Sequence, residues 1–374
     1  MALQRAPRVL FLFTEVLANG GIQRFNRTIL DACSRLGVEC HVLSLNDPRL
    51  PIEQGSRYGD ASVVGFSGDR HRFALAVARE LMSERYDRVM IGHINLLTLT
   101  IALSALRPFR RIPTILIAHG IEVWRGIGGV RRYALAHTDR ILCVSHYTRQ
   151  RILEQAPALM ADRLAIFPNA LADSWGRVVP ELAARTMPGR FILSVTRLER
   201  GDRYKGIATV IEAFSMIADD SLEYYVIGQG NDLPFLELIA DRCGVSDRVH
   251  FMRGVSDAEL VSLYERCEAF VLPSGKEGFG IVFLEAMYFG APVIAAGEKG
   301  AIDVVRDGDT GIAVPFGDTI AIKEAIERIR SDAALRTRLR ANGRSMVVDG
   351  GPFTFARFTE RCADVLGLRG SIAV

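Results

Sequence analysis

Short apolar runs alternate with longer amphipathic stretches along the whole chain. In the first half the runs are VLFLF (9–13), CHVLSL (40–45), RVMIG (88–92), TILIAHG (114–120), RILCVS (140–145) and LAIFPN (164–169). They lack the polar alternation of a half-exposed sheet, so they predict buried parallel strands. Helical patterns such as Ile22–Leu36 and Phe73–Arg85 lie between them. A second set follows: FILSVTR (191–197), YYVIG (224–228), VHFMRG (249–254), AFVLP (269–273), PVIAA (292–296) and TGIAVP (310–315). Helices are predicted between these at Gly206–Ile217, Leu233–Cys243, Asp257–Cys267 and Gly280–Phe289. Strands joined by helices of this length imply βαβ units in α/β, doubly wound sheets.

The pattern weakens at 173–190, DSWGRVVPELAARTMPGR, where prolines and glycines interrupt a polar stretch, as in a linker. A chain of 374 residues also exceeds the about 250–300 at which one core stops growing. Two Rossmann-like domains facing a central cleft are therefore expected, at 1–180 and 181–352, with a last helix beginning near Phe353 and packing back on the first. Ligands of such sheets bind beyond the carboxyl ends of the strands, where strand order reverses.

Hydrophobic residues at 49% and charged residues at 24% exclude a disordered or fibrous chain. Cys33, Cys40, Cys143, Cys243, Cys267 and Cys362 form no CxxC pair and read as reduced thiols of a cytoplasmic protein. No apolar run reaches the roughly 18 residues that span a bilayer. The segment RVLFLFTEVLA (8–18) contains Glu15 and leads into Asn19-Gly20-Gly21, so it is read as a first strand and not a secretory signal. The net charge of +3 conceals an asymmetry. Residues 1–180 hold 23 Arg, no Lys and 15 acids, a net of +8; the remainder, with 23 bases and 28 acids, carries −5. The basic half suits an anionic membrane surface or phosphorylated lipid, or is simply a solvated surface.

The loops after the strands carry the chemistry. At 273–289, PSGKEGFGIVFLEAMYF, a glycine-rich turn (Gly275, Gly278, Gly280) opens a helix, which brings backbone N–H groups towards an anion. Glu277 and Glu285 flank it at a spacing of eight, each able to accept from a pair of sugar hydroxyls. The plain alternative is a loop acid and a helix-surface acid, although Glu285 lies among Phe283, Leu284, Ala286 and Met287, where a lone acid is costly. Arg197 at a strand end and Lys205 before a helix can converge on a diphosphate, or be two surface cations. Lysine is scarce here, with four in the chain.

These elements resemble retaining glycosyltransferases of family 4, which have the GT-B fold. The likeness rests on EGFGIVFLE (277–285), SVTRL…YKG (194–206), VIGQGND (226–232), GVSDAELVSLYERCEAFVLPS (254–274) and GDTGIAVP (308–315), and more loosely on NGGIQRFN (19–26), AHGIE (118–122), CVSHYTR (143–149) and FPNAL (167–171). The resemblance implies that Arg197 and Lys205 hold the donor diphosphate and stabilise its departure. It gives Glu277 the transferred sugar, beside the amides of Gly278, Phe279, Gly280 and Ile281, and Glu285 the ribose. Gly20 and Gly21 would approach the diphosphate or acceptor, and Met252 and Arg253 the base. His119 would stand near the sugar, or be a structural residue of the sheet.

The implied reaction is same-face transfer with retention, in which neither glutamate is a nucleophile, unlike the carboxylate pair of a retaining glycosidase. The expected donor is GDP-mannose, with UDP-glucose or UDP-GlcNAc as alternatives; a nucleotide-sugar epimerase is a further one. The expected acceptor is a glycan or polyprenyl-diphosphate-linked saccharide, reached from the inner face of the cell membrane. Arg107, Arg110 and Arg111 around Phe109, with Arg125, Arg131 and Arg132, would provide peripheral membrane contact. No cofactor, metal or nucleic acid is expected: the histidines form no HxH or HExxH pair, and Asp307-Gly308-Asp309 reads as a turn. NGGIQR also lacks the GxGxxG of a dinucleotide-dependent oxidoreductase.

Overall fold

The computed structural model describes residues 6–18, 20–49, 56–83, 85–104, 112–124, 126–156, 161–172, 175, 189–348 and 350–368. Arg107, Phe109, Arg110, Arg111, Arg125, Asn19 and most of the linker segment 173–190 lie outside them. The chain divides into two compact units, Met1–Ala170 with Phe355–Val374, and Leu171–Thr354.

The first unit holds β1 (Arg8–Phe13), β2 (Glu39–Ser44), β3 (Ser56–Tyr58), β4 (Ala61–Gly65), β5 (Arg88–Ile91), β6 (Thr114–Ala118), β7 (Arg140–Cys143) and β8 (Leu164–Ile166). Their order in the sheet is β3-β4-β2-β1-β5-β6-β7-β8, and every pairing is parallel except β3 with β4. All five residues of β6 are buried, as expected of a strand covered on both faces. The helix Phe355–Leu366 packs on the helix Gly21–Arg35, with the Phe358 ring 5.7 Å from Phe25 and 4.9 Å from Phe167. Six strands were expected in this half; β3 and β4 are additional. They form an edge hairpin in which β4 buries alternate residues, a period that short apolar runs do not reveal.

The second unit holds β9 (Arg190–Val195), β10 (Leu222–Ile227), β11 (Val249–Met252), β12 (Ala269–Leu272), β13 (Val293–Ala296) and β14 (Ile312–Val314). The sheet is wholly parallel, in the order β11-β10-β9-β12-β13-β14. These are the six strands the sequence predicts. A 3-10 helix at Arg200–Lys205 was not expected; it carries no buried residue and so no apolar period. Both units are doubly wound α/β sheets. Strand order reverses between β1 and β5 in one and between β9 and β12 in the other, which places a crevice at each of these points.

All six cysteines are free thiols and five are buried. Burial pushes the Cys143 and Cys267 thiols up to about 12. No helix among the described residues is long and apolar enough to cross a membrane.

Candidate active site

In the second unit β9 and β12 are neighbours, so the loops that leave them lie side by side. The first loop carries Arg197 and the 3-10 helix, and turns into the helix Ile207–Ser215 through Gly206 at φ +79°. A Cβ on Gly206 would stand 2.8 Å from the Pro273 carbonyl oxygen, so the turn needs glycine both for its conformation and for its closeness to the end of β12. The Gly275 amide donates to the Tyr204 carbonyl at 2.7 Å. These two constraints set Lys205 against Glu277, 72 residues away in sequence: Lys205 Nζ donates to Glu277 Oε2 at 2.7 Å, with the side chains 17% and 13% exposed.

Beyond Glu277 the chain passes through Gly280 at φ +89° into the helix Ile281–Tyr288. The turn after β13 closes on the Glu277 loop. Gly300 N–H donates to the Glu277 carbonyl at 3.0 Å, and a Cβ at Gly300 would lie 2.0 Å from the Gly278 oxygen.

The other residues of this site are held in different ways. Arg197 is 67% exposed and pairs with Asp202 at 3.0 Å. Asp202 also accepts from the Tyr204 hydroxyl at 2.8 Å; burial and this carboxylate raise the phenol pKa. Arg203 makes a forked pair with Asp232, at 2.6 to 3.0 Å, and lies 3.8 Å over the Phe235 ring. Between these arginines and Leu198, Ile207, Phe235 and Leu236 lies a pocket of about 170 Å³. Glu285 is 2% exposed and takes the Tyr264 hydroxyl at 3.2 Å, the partner that an acid on an apolar helix requires. Phe279 is also 2% exposed, its ring 5.3 Å from Phe353, so only its backbone is available to a ligand. At the end of β11 the Met252 carbonyl accepts from Gly228 N–H at 3.0 Å, and Arg253 is exposed.

In the first unit Gly20 caps the helix Gly21–Arg35, and its carbonyl receives Arg24 N–H at 2.9 Å. The preceding loop is pinned by Arg27, which donates to the carbonyls of Val16 at 2.6 Å and Ala18 at 2.9 Å. His119 follows β6. Glu122 accepts from the backbone N–H groups of His119, at 2.6 Å, and Gly120, at 3.1 Å, fixing this turn. The imidazole packs edge-on to Phe25 at 5.0 Å, and its buried Nε2 has no hydrogen-bond partner. Burial lowers its pKa to about 4, against the opposing Glu122 charge, so the ring is neutral near pH 7.

Of the expected residues, then, Lys205 and Glu277 meet directly, with Gly278, Gly280 and Ile281 beside them. Arg197 turns to Asp202, and Glu285 to Tyr264. Sequence reasoning did not single out Asp202, Tyr204, Asp232 or Tyr264. RGDRYKG and QGND contain the first three, but nothing in them tells which acid each arginine takes. Asp307-Gly308-Asp309 is a turn: Gly308 has φ +67° and its N–H reaches the Gly311 carbonyl at 2.9 Å. Among the described residues no group of three or more His, Cys, Asp or Glu is placed to hold a metal ion.

Two doubly wound units, one with a paired cation and carboxylate at a glycine-opened helix start, agree with the GT-B fold that the sequence resemblance implies. Solved structures agree on the fold. Sucrose-phosphate synthase from Thermosynechococcus elongatus superposes with a TM-score of 0.80 at 20% identity, over 96% of this chain and 98% of that one. Anabaena HepE, solved with UDP and glucose, gives 0.78 at 17% identity, over 96% and 99%. The family model for glycosyltransferase family 4 matches residues 19–174, and that for glycosyl transferases group 1 matches 184–346. The chain thus carries a glycosyltransferase family 4 domain followed by a glycosyl transferases group 1 domain. Among curated relatives, a GDP-mannose-dependent alpha-(1-6)-phosphatidylinositol monomannoside mannosyltransferase of Mycobacterium tuberculosis is 29% identical over 88% of this chain and 90% of its own length. A human alpha-1,3/1,6-mannosyltransferase is 26% identical over 63% and 60%.

Proposed function

We propose that this enzyme transfers mannose from GDP-mannose, with retention of configuration and without a metal ion, to a glycan or lipid-linked saccharide. The observation that carries the reading is the Lys205–Glu277 pair at the point where strand order reverses. A lysine already neutralised by a carboxylate is a strong diphosphate ligand only if that carboxylate has a second task, and accepting from sugar hydroxyls supplies it. Lys205 and Arg197 hold the two phosphates, and the amides at the start of the helix Ile281–Tyr288 add their partial positive charge. As the glycosidic C–O bond breaks, the electron pair moves onto the diphosphate, which those cations stabilise. On the same face the acceptor's hydroxyl oxygen bonds to the anomeric carbon, and the departing phosphate oxygen takes its proton. Glu285, already bonded to Tyr264, binds the ribose. Met252 and Arg253 border the base, and Gly20 and Gly21 approach the diphosphate or acceptor. A neutral His119 supplies one N–H donor or acceptor to the sugar without adding charge.

Mannose and guanine are favoured by the GDP-mannose-dependent mannosyltransferases that align over most of the chain. Lipid linkage is favoured by the same relatives, which act on a phosphatidylinositol monomannoside, and by the helix Gly129–Ala136, where Arg132 is exposed beside Val130 and Tyr133, 73% and 60% exposed. Such a face suits peripheral attachment at the inner surface of the cell membrane.

Differential scanning fluorimetry against GDP, UDP, ADP and their sugars tests the donor: GDP and GDP-mannose should shift the melting point most. A larger shift with UDP sugars overturns the base assignment, and no shift with any nucleotide overturns the reading. Transfer undiminished by EDTA is expected, and proton NMR of the product should show the anomeric configuration of the donor. Sedimentation with anionic vesicles at low and high salt tests attachment, and no binding at low salt refutes it.

A further inference from the structure

Four lysines occur in the chain, and three of them surround one loop. Lys205 pairs with Glu277, and Lys276 lies 5.1 Å from the centre of the Tyr204 ring. Lys299 reaches the loop from the turn after β13: its ammonium donates to the Gly275 carbonyl and stands 3.3 Å from Glu298. The fourth, Lys323, makes an ordinary one-turn pair with Glu327 at 2.9 Å.

The backbone of Lys299 has φ +58°, a left-handed conformation shared, among the described non-glycine residues, only with Ser67. A β-carbon disfavours that region, so local preference alone would place glycine there. The lysine side chain has to supply something glycine lacks. What it supplies is visible at Gly275, whose amide is fixed by Tyr204 and whose carbonyl is fixed by Lys299. Two residues on, the Glu277 carbonyl is held by Gly300, the neighbour of Lys299. The turn after β13 therefore grips the Gly275–Gly278 segment at two carbonyls, on either side of Lys276.

We propose that Lys299 is a positioning residue for the donor site: its ammonium anchors the Gly275 carbonyl and thereby orients the Glu277 carboxylate. The proposal rests on the reading of Glu277 as the sugar ligand. It assigns Lys299 no contact with the reacting atoms.

Three variants test it: Lys299→Gly, Lys299→Met and Lys299→Arg. Lys299→Gly relieves the left-handed backbone while removing the ammonium, so its melting point should not fall. In the unliganded protein, amides of 275–281 should exchange faster with deuterium in Lys299→Gly and Lys299→Met than in wild type. Turnover with the nucleotide sugar should drop by about 10- to 100-fold in both, as expected for small misplacements of a positioning group. Binding of the nucleoside diphosphate alone, measured by calorimetry, should stay unchanged, and Lys299→Arg should restore most of the turnover. Unchanged exchange at 275–281, or wild-type turnover in Lys299→Gly, overturns the proposal. So does a parallel loss of melting point, diphosphate binding and turnover, which marks a general structural role. If the wild-type protein transfers no sugar from any nucleotide donor, the functional reading fails, while the exchange measurement still decides whether Lys299 anchors the loop.

Discussion

His119 offers a stability test that needs no substrate. Its pKa falls from the ordinary 6.5 to about 4 because the ring is buried, 9% exposed, with Phe25 against it. The folded protein therefore resists a proton that the unfolded chain accepts. Above pH 6.5 neither state is protonated at this site, and its full contribution to stability is present. As the pH drops from 6.5 towards 4 the unfolded state gains a proton and the folded state does not, so stability is lost across that window and the loss stops below about 4. At about 1.4 kcal/mol per pH unit, the difference amounts to roughly 3 kcal/mol. His41 and His93 are also lowered by burial and act in the same direction, and His93 and Glu122 both influence His119. The measurement is therefore a comparison with His119→Gln, in which those groups remain. The chain has two tryptophans, Trp124 beside this turn and Trp175 in the other unit. In a Trp175→Phe background, urea unfolding followed by Trp124 fluorescence reports the first unit. Between pH 7.5 and 4 the protein with His119 should lose roughly 3 kcal/mol more than the one with glutamine. Parallel pH dependences would refute the buried, neutral imidazole.

Other residues give independent checks. Gly206→Ala forces a β-carbon to 2.8 Å from the Pro273 oxygen at φ +79°, and should cost about 1–3 kcal/mol in thermal or urea unfolding. Tyr264→Phe removes a donor from the enclosed Glu285 carboxylate and should destabilise by about 1–3 kcal/mol; a neutral result would mean Glu285 is satisfied without it. Glu277→Gln deletes the charge that holds Lys205 at 2.7 Å. Turnover should fall by about 100-fold or more while nucleoside diphosphate binds as tightly or more tightly, since the lysine is released to the phosphates; weakened binding of the diphosphate would contradict the division of tasks.

The central strands of both sheets were legible because parallel strands covered on both faces leave unbroken apolar runs, as in TILIA and AFVL. The edge hairpin β3–β4 was not, because β4 alternates buried and exposed residues over five positions. The 3-10 helix RGDRYK was missed for the same kind of reason, with no buried face to set a period. Glycine-opened helix starts and strand-end cations pointed to the loops that matter. What sequence spacing does not contain is the order of strands. Lys205 meets Glu277 only because β9 and β12 are neighbours, although five elements, β10, β11 and three helices, lie between Lys205 and β12 along the chain. Competition among charges was equally hidden, since Arg197 and Arg203 flank Asp202 in one short segment yet Arg203 takes Asp232. The shifted pKa of His119 depends on burial by residues from other elements, which AHGIE does not reveal.

Calorimetric binding of GDP and of GMP to wild type, Arg197→Met and Lys205→Met examines the diphosphate grip most directly. Each charge-assisted bond to phosphate is worth about 1.5–3 kcal/mol, so each variant should bind GDP about 10- to 150-fold more weakly. GMP, which lacks the second phosphate, should lose less in at least one of the two variants, and the folded state should be little affected by replacing the exposed Arg197. GDP affinity equal to wild type in both variants would contradict the account.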